Sequence, residues 1–240
     1  ARSLVEKLSF PVVLTWAAKD YFEYSNPLIV DGFGITGTRA GNFVVQNADC
    51  ILSIGSRLDT HATGSPLSTF ARQAKKIIVD IDASELSKFT QAGIKDAVLI
   101  QSDALEFISS LLARLVCEPV AWPPQDWIKR IAVWHRQYPV CPKRYGSRDD
   151  GVNPYVFIDQ LSEAVSADEI IIADTGNNVA QTFQAFKTKK GQRLITAFNN
   201  TPFPAMATEV LPPDATYPNG QVAPVDHRQL FARHLYVLAL

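Results

Sequence analysis

The sequence predicts an α/β protein, a parallel sheet with helices on both faces followed by a partial second α/β unit. Short Ile/Val-rich runs of four to eight residues alternate with longer amphipathic runs, the rhythm of a parallel sheet. The short runs are nearly continuously apolar, as strands covered on both faces must be. The rhythm breaks between Glu118 and Gly151 and then resumes.

Leu4 and Leu8 predict a short first helix, and Phe10–Trp16 the first strand. Thr38–Asn47 reads as a helix, Cys50–Gly55 and Lys76–Ile81 as strands, Ser84–Phe89 as a helix and Ala97–Ile100 as a strand. Ala104–Val116 follows as a longer helix, with Leu105, Ile108, Leu111, Leu112 and Leu115 on its apolar face and Asp103 as its N-cap. These elements make residues 1–117 one nucleotide-binding-like domain. Residues 118–150 carry Pro119, Pro123, Pro124, Pro139 and Pro142 around a helical stretch, Trp127–Arg136, and read as a linker with a docking helix. Trp122, Trp127 and Trp134 there read as packing between domains. Residues 151–202 open a second α/β unit: helix Pro154–Val165, buried strand Glu169–Ala173, helix Asn178–Phe186 and strand Arg193–Phe198. Residues 203–240, with five prolines and no continuing βα rhythm, read as a divergent tail, grafted or disordered.

Composition excludes several classes. The chain of 240 residues is 47% hydrophobic and carries 23 Lys plus Arg against 24 Asp plus Glu, so a net charge of −1 offers no general attraction to phosphate backbones or anionic lipid. Neither a nucleic-acid nor a membrane partner is expected. Cys50, Cys117 and Cys141 lack the spacing of a zinc site and predict a reducing, cytoplasmic setting. No apolar run reaches the ~20 residues of a membrane helix, and Ala1–Lys7 is no signal peptide. The start at Ala is read as that of a fragment or processed form.

Four corners could hold a ligand. Gly32–Gly41 has four glycines before a predicted helix, among them Gly34 and Gly37. Such a loop lets N–H groups approach a phosphate at the positive end of the helix, or merely turns the chain and packs the helix closely. It does not match GxGxxG. Arg57 and Asp59 follow a buried strand at its carboxyl end, where open α/β sheets bind ligands; Arg57 can fork onto a diphosphate, or pair with Asp59 or across domains. Asp80 and Asp82 end the next strand, one suited to a ribose hydroxyl and the other to capping the helix near Ser84, with capping the safer role for Asp82. Gly176, Asn177 and Asn178 form the same kind of corner in the second unit, a diphosphate grip or a plain turn with Asn caps. The four histidines are scattered and no catalytic or metal-ligating set stands out.

The order of these pieces resembles the thiamine diphosphate (ThDP) dependent enzymes, closest to the acetolactate synthase group. The run Gly32–Asp59, then Thr63-Gly64, Phe70–Arg72 and Ile77–Lys88, is similar to that family's central domain, a Rossmann-like sheet, across residues 1 to about 115. The chain then begins after that domain's first strand. Residues 153–202 resemble the start of the diphosphate-binding domain, with NPYVFIDQLSEAV as its opening helix and IIADTGNN as its strand and turn. The resemblance implies that Gly176, Asn177 and Asn178 contact the ThDP diphosphate, and that Gly34, Gly37, Arg57, Asp59, Asp80 and Asp82 line a nucleotide pocket holding FAD in some members. It also implies carbon–carbon bond chemistry on 2-keto acids, magnesium beside the diphosphate and a homo-oligomer. The family's GDG-and-Asn magnesium pattern is absent, and Phe203 stands where the family carries a methionine. The expected activity is therefore that of a partial enzyme, inactive alone. The alternatives are an FAD- or NAD-type nucleotide-binding module without catalysis, or another ThDP-dependent decarboxylase or lyase.

Overall fold

The computed structural model describes residues 1–94, 96–117, 125–146, 151–174 and 176–196, and the backbone of 235–238. Two compact units divide the chain. The first comprises Ala1–Trp16 and Pro27–Pro139, the second Ala17–Asn26 and Val140–Leu240.

In the first unit, helix α1 (Arg2–Leu8) leads to strand β1 (Val12–Leu14), which pairs in parallel with β2 (Ile29–Gly32). Strands β3 (Cys50–Ile54), β4 (Lys75–Asp80) and β5 (Ala97–Gln101) form a second parallel sheet in that order. The register sets Ser53 opposite Ile78 and Ile78 opposite Leu99. Helices α2 (Arg39–Asn47), a single turn α3 (Thr60–Thr63), α4 (Ala83–Gln91) and α5 (Ala104–Cys117) connect the strands. Phe33, Phe70, Ile78, Leu86 and Phe89 fill one core, and Leu4, Ile108 and Leu115 with Ile54 a second. This is the parallel sheet with flanking helices that the sequence predicts.

Helix α6 (Gln125–Gln137), the docking helix of the expected linker, belongs to this unit. Its buried Ile131 meets Val30 and Val44, with Trp127 and Trp134 beside them. The two indoles stack edge to face at 5.6 Å, and Trp134 lies 5.7 Å from Phe43 of α2. These tryptophans therefore pack inside the first unit, a correction to the expectation that they pack between domains. Trp122 lies outside the described residues.

The second unit contains α7 (Pro154–Ala164), strand β6 (Ile170–Ala173), α8 (Asn177–Ala185), β7 (Arg193–Ile195) and β8 (Leu235–Leu238). Strand β6 lies between β7 and β8, parallel to both, and all four of its residues are buried. Asn153 accepts from Tyr155 N at 2.9 Å and Pro154 opens α7, a helix start in which the missing N–H costs nothing. Within the expected tail 203–240 the described part is β8; the rest lies outside the described residues.

Some elements differ in extent. The first strand is three residues long rather than Phe10–Trp16, because Trp16–Ala18 already turns as a 3-10 helix. On α5, Leu105 faces solvent although Ile108 and Leu115 are buried, so the apolar stripe starts one turn later than expected. Among the described residues no helix is long and apolar enough to cross a membrane.

Phe89 is 1% exposed in the main core, whereas Val98 of β5 is 44% exposed. Phe89→Ala is expected to lower the stability of the first unit by about 3–5 kcal/mol and Val98→Ala by less than about 1 kcal/mol, read from urea denaturation followed by circular dichroism.

Candidate functional site

Strands β2, β3 and β4 each end at one of the corners expected to bind a ligand. At the end of β2, Gly34 has φ +86°, and a Cβ there would lie 2.3 Å from the His61 carbonyl oxygen. A Cβ on Gly37 would sit 2.3 Å from Phe33 Cα. Both glycines are thus required by close backbone packing. Asn42, one turn into α2, accepts from Gly34 N at 2.8 Å and donates to Gly34 O at 3.1 Å, and Thr38 caps the helix by accepting from Gly41 N.

At the end of β3, Arg57 and Leu58 are consecutive left-handed residues, with φ 59° and 49°. That conformation is unfavourable for residues with a Cβ and needs support from its surroundings. Buried Leu58 anchors the turn from inside, and Lys88 of α4 donates to the Arg57 carbonyl. The Arg57 guanidinium donates through Nε to Glu85 Oε1 at 2.8 Å, and Lys88 Nζ donates to Glu85 Oε2 at 2.7 Å. The hydrogen bond from Lys88, with that from Arg57, holds the Glu85 carboxyl below its ordinary range despite the opposing effect of burial. The alternative of an Arg57–Asp59 pair is not what forms: Asp59 is the N-cap of α3, accepting from Ala62 N at 3.0 Å, while Glu85 takes the arginine.

Asp82 is the N-cap of α4. Its Oδ1 accepts from Ser84 N at 2.8 Å and Ser84 Oγ at 2.7 Å, and these bonds lower its pKa. Asp80 turns back to accept from Asp82 N at 3.0 Å. Arg57, Asp59, Asp82 and Glu85 form one charged cluster, and Gly34 joins it through Ile35 N donating to His61 O, one helical turn from Asp59. Glu85, Lys88 and Asn42 are functional neighbours that sequence reasoning missed. Glu85 and Lys88 stand three residues apart on α4, a spacing that marks a helix-face ion pair but not its third partner.

The corner in the second unit is built differently. Buried β6 delivers the chain through buried Asp174 to Gly176, the N-cap of α8, at φ +90°. The N-cap is a glycine, with no side chain of its own to cap the helix, rather than an asparagine as in the plain-turn alternative. Asn177 is exposed and Asn178 is buried. A Cβ on Gly176 would meet Asn178 Oδ1 at an ordinary 3.5 Å, so backbone conformation rather than space calls for glycine. The first turn of this nine-residue helix, at the positive end of its dipole, fits a diphosphate. The fit to a nucleotide in the first unit is poorer, since Asp59 and Asp82 serve as caps and Arg57 is paired. Among the described residues, no three or more His, Cys, Asp or Glu side chains gather as a metal centre.

Residues 1–111 match the family described as the thiamine pyrophosphate enzyme central domain. Over 196 residues, 82% of this chain, it is 31% identical to the acetolactate synthase isozyme 1 large subunit of Escherichia coli (strain K12), covering 33% of that protein. The acetolactate synthase large subunit of Lactococcus lactis subsp. lactis (strain IL1403) is 30% identical over 196 residues, 82% of this chain and 32% of the relative. The probable acetolactate synthase large subunit of Methanocaldococcus jannaschii is 30% identical over 192 residues, 78% of this chain and 31% of the relative. The chain spans about a third of the length of these relatives. Residues 1–111 thus match the thiamine pyrophosphate enzyme central domain, and most of the chain is similar to part of acetolactate synthase large subunits.

Proposed function

We propose that this chain is part of a ThDP-dependent enzyme of the acetolactate synthase type, acting on 2-keto acids, and that Gly176, Asn177 and Asn178 hold the cofactor's diphosphate. The observation that carries this reading is the β6–α8 corner, where a buried strand leads through Gly176 at φ +90° into the start of a nine-residue helix, a geometry that suits an anion. When bound, ThDP supplies the electron sink for breaking or making a carbon–carbon bond beside a keto group. The chain's own residues bind and orient. Gly176 at φ +90° turns the backbone sharply into α8, and the burial of Ile170–Ala173 fixes that turn. Asn177 and Asn178 add amide donors without adding charge. None of these residues is an acid or a base, so the 240 residues are read as not catalytic by themselves. Magnesium would accompany the diphosphate, and none of the residues described here is assigned to it.

FAD is the runner-up ligand, in the pocket lined by Gly34, Gly37, Arg57, Asp59, Asp80 and Asp82. It has less support, because Glu85 already pairs with Arg57, and Asp59 and Asp82 are used as helix caps. A ThDP-dependent decarboxylase or lyase would use the β6–α8 corner in the same way. Homo-oligomerisation and a cytoplasmic location belong to the same proposal; Cys50, Cys117 and Cys141 are all free thiols, as a reducing compartment would keep them.

Isothermal titration of the purified chain with ThDP plus Mg²⁺ is expected to give saturable heat, and titration with FAD none. Heat from FAD with none from ThDP would overturn the assignment in favour of a nucleotide module. Asn177→Asp puts a negative charge at an exposed position beside the diphosphate and is expected to weaken ThDP binding on the order of tenfold or more. Its thermal midpoint should stay close to that of the parent chain, because a surface change of this kind alters stability by about 0.5 kcal/mol at most. Unchanged affinity in this variant would remove residues 176–178 from the site.

A further inference from the structure

Residues 17–26 leave the first unit after β1, join the second unit, and return before β2. Four hydrogen bonds tie them to the connection between α8 and β7 and to β7 itself. Tyr24 N donates to Thr188 O at 2.8 Å, and Thr188 Oγ1 donates to Phe22 O at 3.1 Å. Arg193 Nε and Leu194 N both donate to the Asp20 carboxylate, at 2.8 and 2.9 Å. Phe22, Lys19 and Thr188 are buried, and the Asp20 side chain is 12% exposed.

Leu194 belongs to β7, the strand at one edge of the β7–β6–β8 sheet, and its N–H is directed to Asp20. An edge strand offers unpaired backbone groups, and a carboxylate accepting one of them closes the edge at that point. The same connection is held from its other side by α7. Lys187 Nζ bonds Asp159 at 2.8 Å and Glu163 at 3.0 Å, Lys189 Nζ donates to the carbonyls of Glu163 and Val165, and Gln192 Nε2 donates to Ser166 O at 3.0 Å. Burial pushes the Lys187 pKa down, but the bonds to Asp159 and Glu163 outweigh it and leave the ammonium more strongly protonated than usual.

We propose that residues 17–26 are a strap of the second unit: they close the open edge of β7 and fix the α8–β7 connection, so that the integrity of the second unit depends on a segment embedded between two strands of the first. The physical basis is the partner that removal of Asp20 takes away. Leu194, a buried residue, would lose the acceptor of its N–H, where an unsatisfied donor is more costly than a missing bond in water, and the exposed Arg193 guanidinium would lose its ion-pair partner.

Hydrogen exchange of the full chain, read by mass spectrometry, tests this. In Asp20→Ala, exchange across 186–195 is expected to rise on the order of tenfold, with 17–26 rising in parallel, while 50–54 and 75–80 keep their parent rates. Thr188→Val, which keeps the shape and removes the hydroxyl donor to Phe22, is expected to give a smaller rise in the same two segments. It supplies the reading should Asp20→Ala fail to fold. Parent exchange of 17–26 as fast as an unprotected peptide, a rise spread evenly over both units, or a change at 17–26 with none at 186–195 would each overturn the proposal. The outcome is independent of ThDP binding.

Discussion

The first unit depends on a contact between two backbones. A Cβ on Gly41 would fall 2.1 Å from the Gly32 carbonyl oxygen, so the first turn of α2 lies directly on the end of β2 with no side chain between them. Thr38 N donates to that same Gly32 carbonyl at 3.0 Å, which sets where the helix begins. Asn42 then clamps Gly34 from the next turn, Gly34 lies against the His61 carbonyl, and α3 is located in turn with Asp59 at its cap. On its other side α2 presents Phe43 and Val44 to α6. The position of the charged corner at Arg57 and the seat of the docking helix thus both trace to one glycine contact.

The second unit solves a different problem, that of a wholly apolar strand surrounded by polar connections. β6 is buried along its length and needs pairing on both edges, which β7 and β8 supply. The connection before β7 is polar, yet its groups are used. Gln192 is 1% exposed and bonds at both ends of its amide, accepting from Lys189 N and donating to Ser166 O. Rigid bonding beyond one end of α8 contrasts with the glycine N-cap at the other, the end assigned to the proposed ligand.

Helices were legible where a capping residue preceded an apolar stripe, as at Thr38, Asp82, Asp103 and Asn153, each of which accepts a hydrogen bond from the first turn. Strands β4 and β6 were legible from their Ile/Val runs, and β3 from a short apolar run although only its Ser53 is buried. Strand β2 was not, because Leu28, Ile29 and Val30 make an apolar run of only three residues before Asp31 and merge with the glycine loop. At the charged corner, the sequence placed Arg57, Asp59 and Asp82 beyond strand ends but did not offer Glu85 as the arginine's partner. The cause is the left-handed turn at Arg57–Leu58, which swings the guanidinium toward α4 and which neither residue type announces. The excursion of residues 17–26 left no local signal, since its partners are more than 160 positions away.

That excursion changes what counts as a separable piece of the gene. A chimera exchanged with a relative at the boundary between residues 139 and 140 would combine a strap from one parent with an α8–β7 connection from the other. Asp20 and Arg193 would then be inherited separately although they form one ion pair. Crossovers that keep residues 17–26 and 186–194 from the same parent preserve it, so the blocks that can be shuffled in this chain are discontinuous in sequence even where the cores they build are compact.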